Sequence, residues 1–156
     1  MPEPAASRGT LLAFDFGIRR TGVAVGQTET RTANPLTTIR TTGEPAWREI
    51  SKLVEEWRPC ALVVGLPLDA GGEETEMSRA ARRFGRGLEK RFSITVYYMD
   101  ERLTSRLAES QFADLRARGG ARRKEARSLD ALAAKIILEN WLQSLPATGA
   151  DRDFSG

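Results

Sequence analysis

The chain has 156 residues, with 24 Lys or Arg, 21 Asp or Glu and a net charge of +3, enough length for one domain with a real core. No apolar run is long enough to span a bilayer, and the lone Cys60 excludes a disulfide framework. With no histidine at all, His/Cys zinc sites and any histidine base are excluded, so enzyme chemistry here would rest on carboxylates, hydroxyls or a hard metal.

Met1-Pro2-Glu3-Pro4 lacks the basic-then-apolar pattern of a signal peptide, and the cysteine usage suits a reducing cytoplasm. The cations are mostly arginine, whose planar fork grips phosphate with two prongs. A mildly basic balance does not by itself name a nucleic-acid partner, so the clustering of charge matters more.

Residues 1–9 read as a flexible tail, residues 10–144 as one domain, and residues 145–156 as a second flexible tail. Leu11–Phe16 is the first predicted strand. It carries Asp15 inside an apolar, aromatic run, where an unpaired charge is costly. Asp15 therefore either has a cation partner or ends the strand bonded to turn amides. Gly17 opens a turn low enough for a phosphate backbone to approach, and Thr21–Gln27 follows as strand two. Strand three spans Asn34–Thr41, with Leu36, Thr38 and Arg40 alternating against Thr37, Ile39 and Thr41.

Thr42-Gly43-Glu44-Pro45 breaks the pattern before a helix in which Ala46, Trp47, Ile50, Leu53, Val54 and Trp57 recur at helical spacing. Its tryptophans read as core anchors. Cys60–Leu66 is apolar throughout, as in a strand buried on both faces. Asp69 follows in a glycine-rich loop and reads as a turn former. Thr75–Phe92 predicts a helix with a basic outer face, and Ile94–Met99 predicts a strand running straight into Asp100-Glu101-Arg102. A helix is expected from Thr104 toward Arg118, then a basic stretch, Gly119-Gly120-Ala121-Arg122-Arg123-Lys124, which reads either as a mobile loop able to clamp phosphates or as a solvated linker. The last helix starts near Lys124 or Glu125 and runs to Leu142, with Leu129, Leu132, Ala133, Ile136, Ile137 and Asn140 inward and Asp130 at the edge of that face.

The order of three strands, helix, strand, helix, strand and two helices predicts an α/β fold: a mixed five-stranded sheet, three antiparallel strands and then helix-connected parallel ones, flanked by helices. In such a sheet Asp15, Glu101 and Asp130, remote in sequence, can meet at one edge. Three hard oxygen donors repel one another without a cation, and Mg²⁺ or Mn²⁺ suits them. Neighbours on a strand point opposite ways, so spacing alone does not choose between Asp100 and Glu101. An aspartate-x-glycine hairpin also opens sugar kinases and actin-like ATPases, but those need two lobes around the nucleotide, and this chain has length for one.

Phe14-Asp15-Phe16-Gly17 with Thr21-Gly22-Val23-Ala24, Val64-Gly65-Leu66-Pro67, Asp100-Glu101-Arg102-Leu103-Thr104, and Asp130-Ala131-Leu132-Ala133-Ala134 with Ile137-Leu138 stand in the order found in the YqgF (RuvX) family. Over roughly Leu11 to Leu142 the chain resembles that family, relatives of the RuvC resolvases in the ribonuclease H-like superfamily. The resemblance implies a ribonuclease H-like fold and a metal-dependent nuclease using Mg²⁺ or Mn²⁺. It implies action on the 5′ end of pre-16S rRNA or, alternatively, on Holliday junctions in branched DNA. It makes Asp15, Glu101 and Asp130 the catalytic and metal-holding acids, and it is this match that selects Glu101 over Asp100. Arg19, Arg20, Thr21, Arg102, Arg122, Arg123 and Lys124 would then hold neighbouring phosphates. A cytoplasmic monomer or weak homodimer is expected, away from membranes. A nucleic-acid-binding protein without catalysis is the remaining alternative.

Overall fold

The computed structural model describes residues 9–41, 45–101 and 123–146, with side chains in the last stretch from residue 129 onward. Within them lie β1 (Thr10–Asp15), β2 (Arg20–Gln27), β3 (Thr32–Arg40), α1 (Trp47–Trp57), β4 (Ala61–Leu66), α2 (Glu76–Phe92), β5 (Val96–Asp100) and α3 (Arg123–Gln143). Arg102, the helix expected from Thr104, the segment Gly119–Arg122 and most of both expected tails lie outside the described residues. The strands form one sheet in the order β3-β2-β1-β4-β5. β1 and β3 each run antiparallel to β2, whereas β4 lies parallel to β1 and β5 parallel to β4. This is the mixed sheet that the element order predicts. No helix among the described residues is long and apolar enough to cross a membrane.

Residue size divides the two faces of the sheet. On one, Leu12, Phe14, Val23, Val25, Leu62 and Val64 pack against Ile50 of α1 and Ala81, Phe84 and Leu88 of α2. The other carries smaller groups, Ala13, Ala24 and Ala61, and takes Ala134, Ile137, Leu138 and Trp141 of α3. Two glycines of β2 bring α3 closer still. A Cβ at Gly22 would stand 1.9 Å from the Asp130 carbonyl oxygen, and one at Gly26 2.8 Å from Leu138 Cδ2.

That close approach rotates α3 from its expected setting. Ala131, Ala134, Ile136, Ile137, Leu138, Trp141 and Leu142 are buried, whereas Leu129, Leu132, Ala133 and Asn140 are only half-buried. Small alanines face the glycine-lined strand, and the tryptophan fills the wider end. Asp130 precedes Ala134 by one turn and so lies over the sheet. In β3, the register shifts between Val23, paired with Thr37, and Ala24, paired with Pro35. Leu36 is the extra residue of this bulge, so Leu36 and Ile39 both reach the α1–α2 face instead of alternating. Pro35 is tolerated because β3 is an edge strand.

Local signals elsewhere act as read. Asp69 Oδ1 accepts from Gly71 N and Glu73 N, each at 2.9 Å, which makes Asp69 a turn former. Thr75 caps α2, accepting from Ser78 N at 3.0 Å. Trp47, Trp57 and Trp141 all pack against the core.

Candidate active site

Asp15 is aimed by the residues beside it. Phe14 meets Phe84 of α2 edge-on with ring centroids 5.5 Å apart, and Phe16 stacks on the same ring at 4.7 Å. Two aromatic anchors on the α1–α2 face turn Asp15 to the opposite side, in phase with Leu11 and Ala13, beneath α3. The same parity applies in β5, where Tyr97 and Met99 belong to the α3 face, and Glu101 continues their phase just beyond the strand. Glu101 lies over Gly65 of β4: a Cβ there would stand 2.6 Å from Glu101 Oε2 and 2.5 Å from Ile137 Cδ1. α3 completes the group by laying the Asp130 backbone against Gly22, the register partner of Asp15.

The acids sense one another. Burial, then the charges of Glu101 and Asp130, push the Asp15 carboxyl well above the usual carboxylate range. Burial also raises Glu101, opposed by its hydrogen bond with Asp15 and reinforced by the charge of Asp100. Asp15 and Glu101 thus hydrogen-bond each other in a setting that disfavours charge on both. Two crowded, half-buried carboxyls, with a third carboxylate nearby, lack positive charge. Asp130 has found some: Arg20 Nε donates to Asp130 Oδ2 at 2.6 Å, with the two side chains 42% and 26% exposed. Among the described residues no three acidic, His or Cys side chains already stand as a metal cage. The donor set, hard oxygens in a buried and electron-rich setting, fits a hard divalent cation.

The remaining expected contacts are spread out. Arg19 is exposed in the turn between β1 and β2. Thr21 is buried, and its hydroxyl pairs with Thr41 Oγ1 at 3.2 Å, so it props the end of β2 instead of reaching the surface. Arg102 and Arg122 lie outside the described residues. Arg123 and Lys124 open α3 and do not continue a glycine-rich loop, because Arg-Lys-Glu-Ala-Arg is a run of good helix formers. Gly17 serves its own turn, since a Cβ there would meet the Arg20 carbonyl oxygen at 2.5 Å. Gly22 and Gly65 were each visible only as part of a motif. Their task, leaving room for Asp130 and Glu101, depends on which elements cross. Ile18, 69% exposed beside Arg19, is a large apolar side chain left in solvent next to the acids.

A family model for RuvX, described as a Holliday junction resolvase, matches residues 9–144. A protein of Dechloromonas aromatica is 48% identical over 137 residues, covering 87% of this chain and 92% of its own length. One from Hydrogenovibrio crunogenus is 45% identical over 138 residues, covering 88% and 96%. Both are named "Putative pre-16S rRNA nuclease". Among solved structures, RuvC of Thermus thermophilus in complex with a Holliday junction substrate superposes with a TM-score of 0.52 at 17% identity, covering 87% of this chain and 94% of that one. The structure of Thermus thermophilus RuvC described without a substrate gives 0.51 at 16% identity, covering 86% and 95%. The mixed sheet is thus of the ribonuclease H-like kind, and the chain belongs to the RuvX family of phosphodiester-hydrolysing nucleases.

Proposed function

We propose that this nuclease processes the 5′ end of pre-16S rRNA in the cytoplasm, with Asp15, Glu101 and Asp130 holding Mg²⁺ or Mn²⁺. The observation that carries this reading is the convergence of three acids at one sheet edge: the Asp130 backbone abuts Gly22, the register partner of Asp15, Glu101 lies over Gly65, and the charges of Glu101 and Asp130 both raise Asp15. Divalent ions at such a site activate a water and stabilise the leaving oxygen of a phosphodiester. Asp15 feels the charge of both other acids and would be the central ligand, with Glu101 and Asp130 completing the donor set. Arg20, relieved of Asp130 by a cation, is free to turn to a substrate phosphate beside Arg19. This reading assigns Arg102, Arg122, Arg123 and Lys124 to further phosphates, and Thr21 acts only through the strand end that it braces.

The names of the relatives favour the rRNA substrate, while the family description and the RuvC-like fold favour a junction. A resolvase cuts symmetrically as a two-fold dimer, whereas the rRNA reading is served by a monomer or weak dimer. Incubating the protein with a 5′ precursor rRNA fragment and, separately, a four-way DNA junction decides between them. Metal-dependent cutting of the RNA at a defined position is expected. Paired symmetric cuts in the junction, with the RNA left intact, would replace this reading by the resolvase.

A further inference from the structure

We propose that the groove between β3 and α1 is a track for the single nucleic-acid strand leading away from the cut. The proposal rests on the nuclease reading above. The groove has a volume of about 830 Å³ and is lined by Arg19, Arg20, Arg40 and Thr41 at one end and by Lys52 and Glu56 of α1 along its side. Arg20 lines it and also bonds Asp130, so one arginine links the groove to the acidic site.

Its charges ask for an anion. Arg20 and Arg40 are direct partners across the β2–β3 register, where like charges oppose each other at a cost. Arg19 is the next residue, and all three are exposed. Asp130 answers one of these cations, and successive phosphates would answer the others. The arginines stand on a fixed frame: the Arg19 carbonyl accepts from Thr41 N at 2.7 Å, and Thr41 pairs with the buried Thr21 hydroxyl. On the opposite wall Glu49 and Glu56 flank Lys52. Those acids turn phosphates away and present acceptors for ribose hydroxyls and base amino groups, which sets the backbone against β3. Half-buried Leu53 adds apolar surface on which a sugar or base edge can rest. The volume falls in the range of about 300–1,000 Å³ that suits a small ligand, and so suits a short run of single strand.

The test is fluorescence anisotropy with a labelled single-stranded RNA of about twelve nucleotides, without divalent metal, across a salt series. Combining Arg40→Ala with Lys52→Ala is expected to weaken binding about tenfold. It should also lower the salt slope by about 1.4, since each phosphate contact on a single strand contributes about 0.7. The charge-keeping pair Arg40→Lys and Lys52→Arg is expected to bind within about threefold of wild type, because both cations remain. An unchanged affinity and slope in the alanine pair, or an equal loss in the charge-keeping pair, would overturn the track. Wild-type cutting of the precursor fragment, measured in parallel, reads the nuclease assignment separately. Cutting together with unchanged binding in the alanine pair refutes the track alone.

Discussion

Asp15 shows how a single residue sets the protein's dependence on pH. Burial and neighbouring charge raise both Asp15 and Glu101, so the folded state binds more protons than the unfolded chain between the ordinary carboxyl range and the raised one. Stability therefore falls as pH rises through that window. In the presence of chelator, the melting temperature is expected to drop as pH rises above the ordinary carboxyl range. Asp15→Asn should flatten that drop and raise the neutral melting temperature by a few degrees, and a lower melting temperature in the variant would show that the carboxylate is structural. The Arg20–Asp130 pair is half-exposed, so Arg20→Ala is expected to change stability by less than about 1 kcal/mol in denaturant titration while weakening RNA binding. That Asp15 sits in an expensive place was legible from Phe14-Asp15-Phe16. Its hydrogen-bonded partner was not, because the choice between Asp100 and Glu101 depends on which face α3 covers, and the resemblance made that choice.

At the scale of elements, glycines decide how near α3 comes. The atom that a Gly22 Cβ would strike is the Asp130 carbonyl, a backbone atom that can move only if the helix moves. Gly22→Ala is expected to cost about 1–3 kcal/mol by thermal or chemical denaturation and to displace Asp130. Gly65→Ala meets only side-chain atoms, of Glu101 and Ile137, so it should unfold less readily than Gly22→Ala yet cut about 100-fold more slowly than wild type, because Glu101 is pushed aside. Strand and helix existence was legible from period and punctuation. The bulge at Leu36 and the rotation of α3 were not: each is set by a neighbour's register or size, which no pattern within the element records. The helical start at Arg123 follows local propensity, but two preceding glycines masked it.

Across the whole molecule, the topology does what composition only permitted. A histidine-free chain has to gather carboxylates, and the parallel β4 and β5 beside β1 carry Glu101 to the edge where Asp15 ends, while α3 returns over that same face with Asp130. The most direct test of that arrangement is single-turnover cleavage of a 5′ pre-16S rRNA fragment by wild type and Asp15→Asn, each with Mg²⁺, Mn²⁺ or chelator. Wild type is expected to cut only with divalent metal, and Asp15→Asn to lose at least about 1,000-fold in rate while keeping its fold. Equal cutting by the two proteins, or cutting that persists in chelator, would contradict the assignment of Asp15 and its acidic neighbours as the catalytic centre.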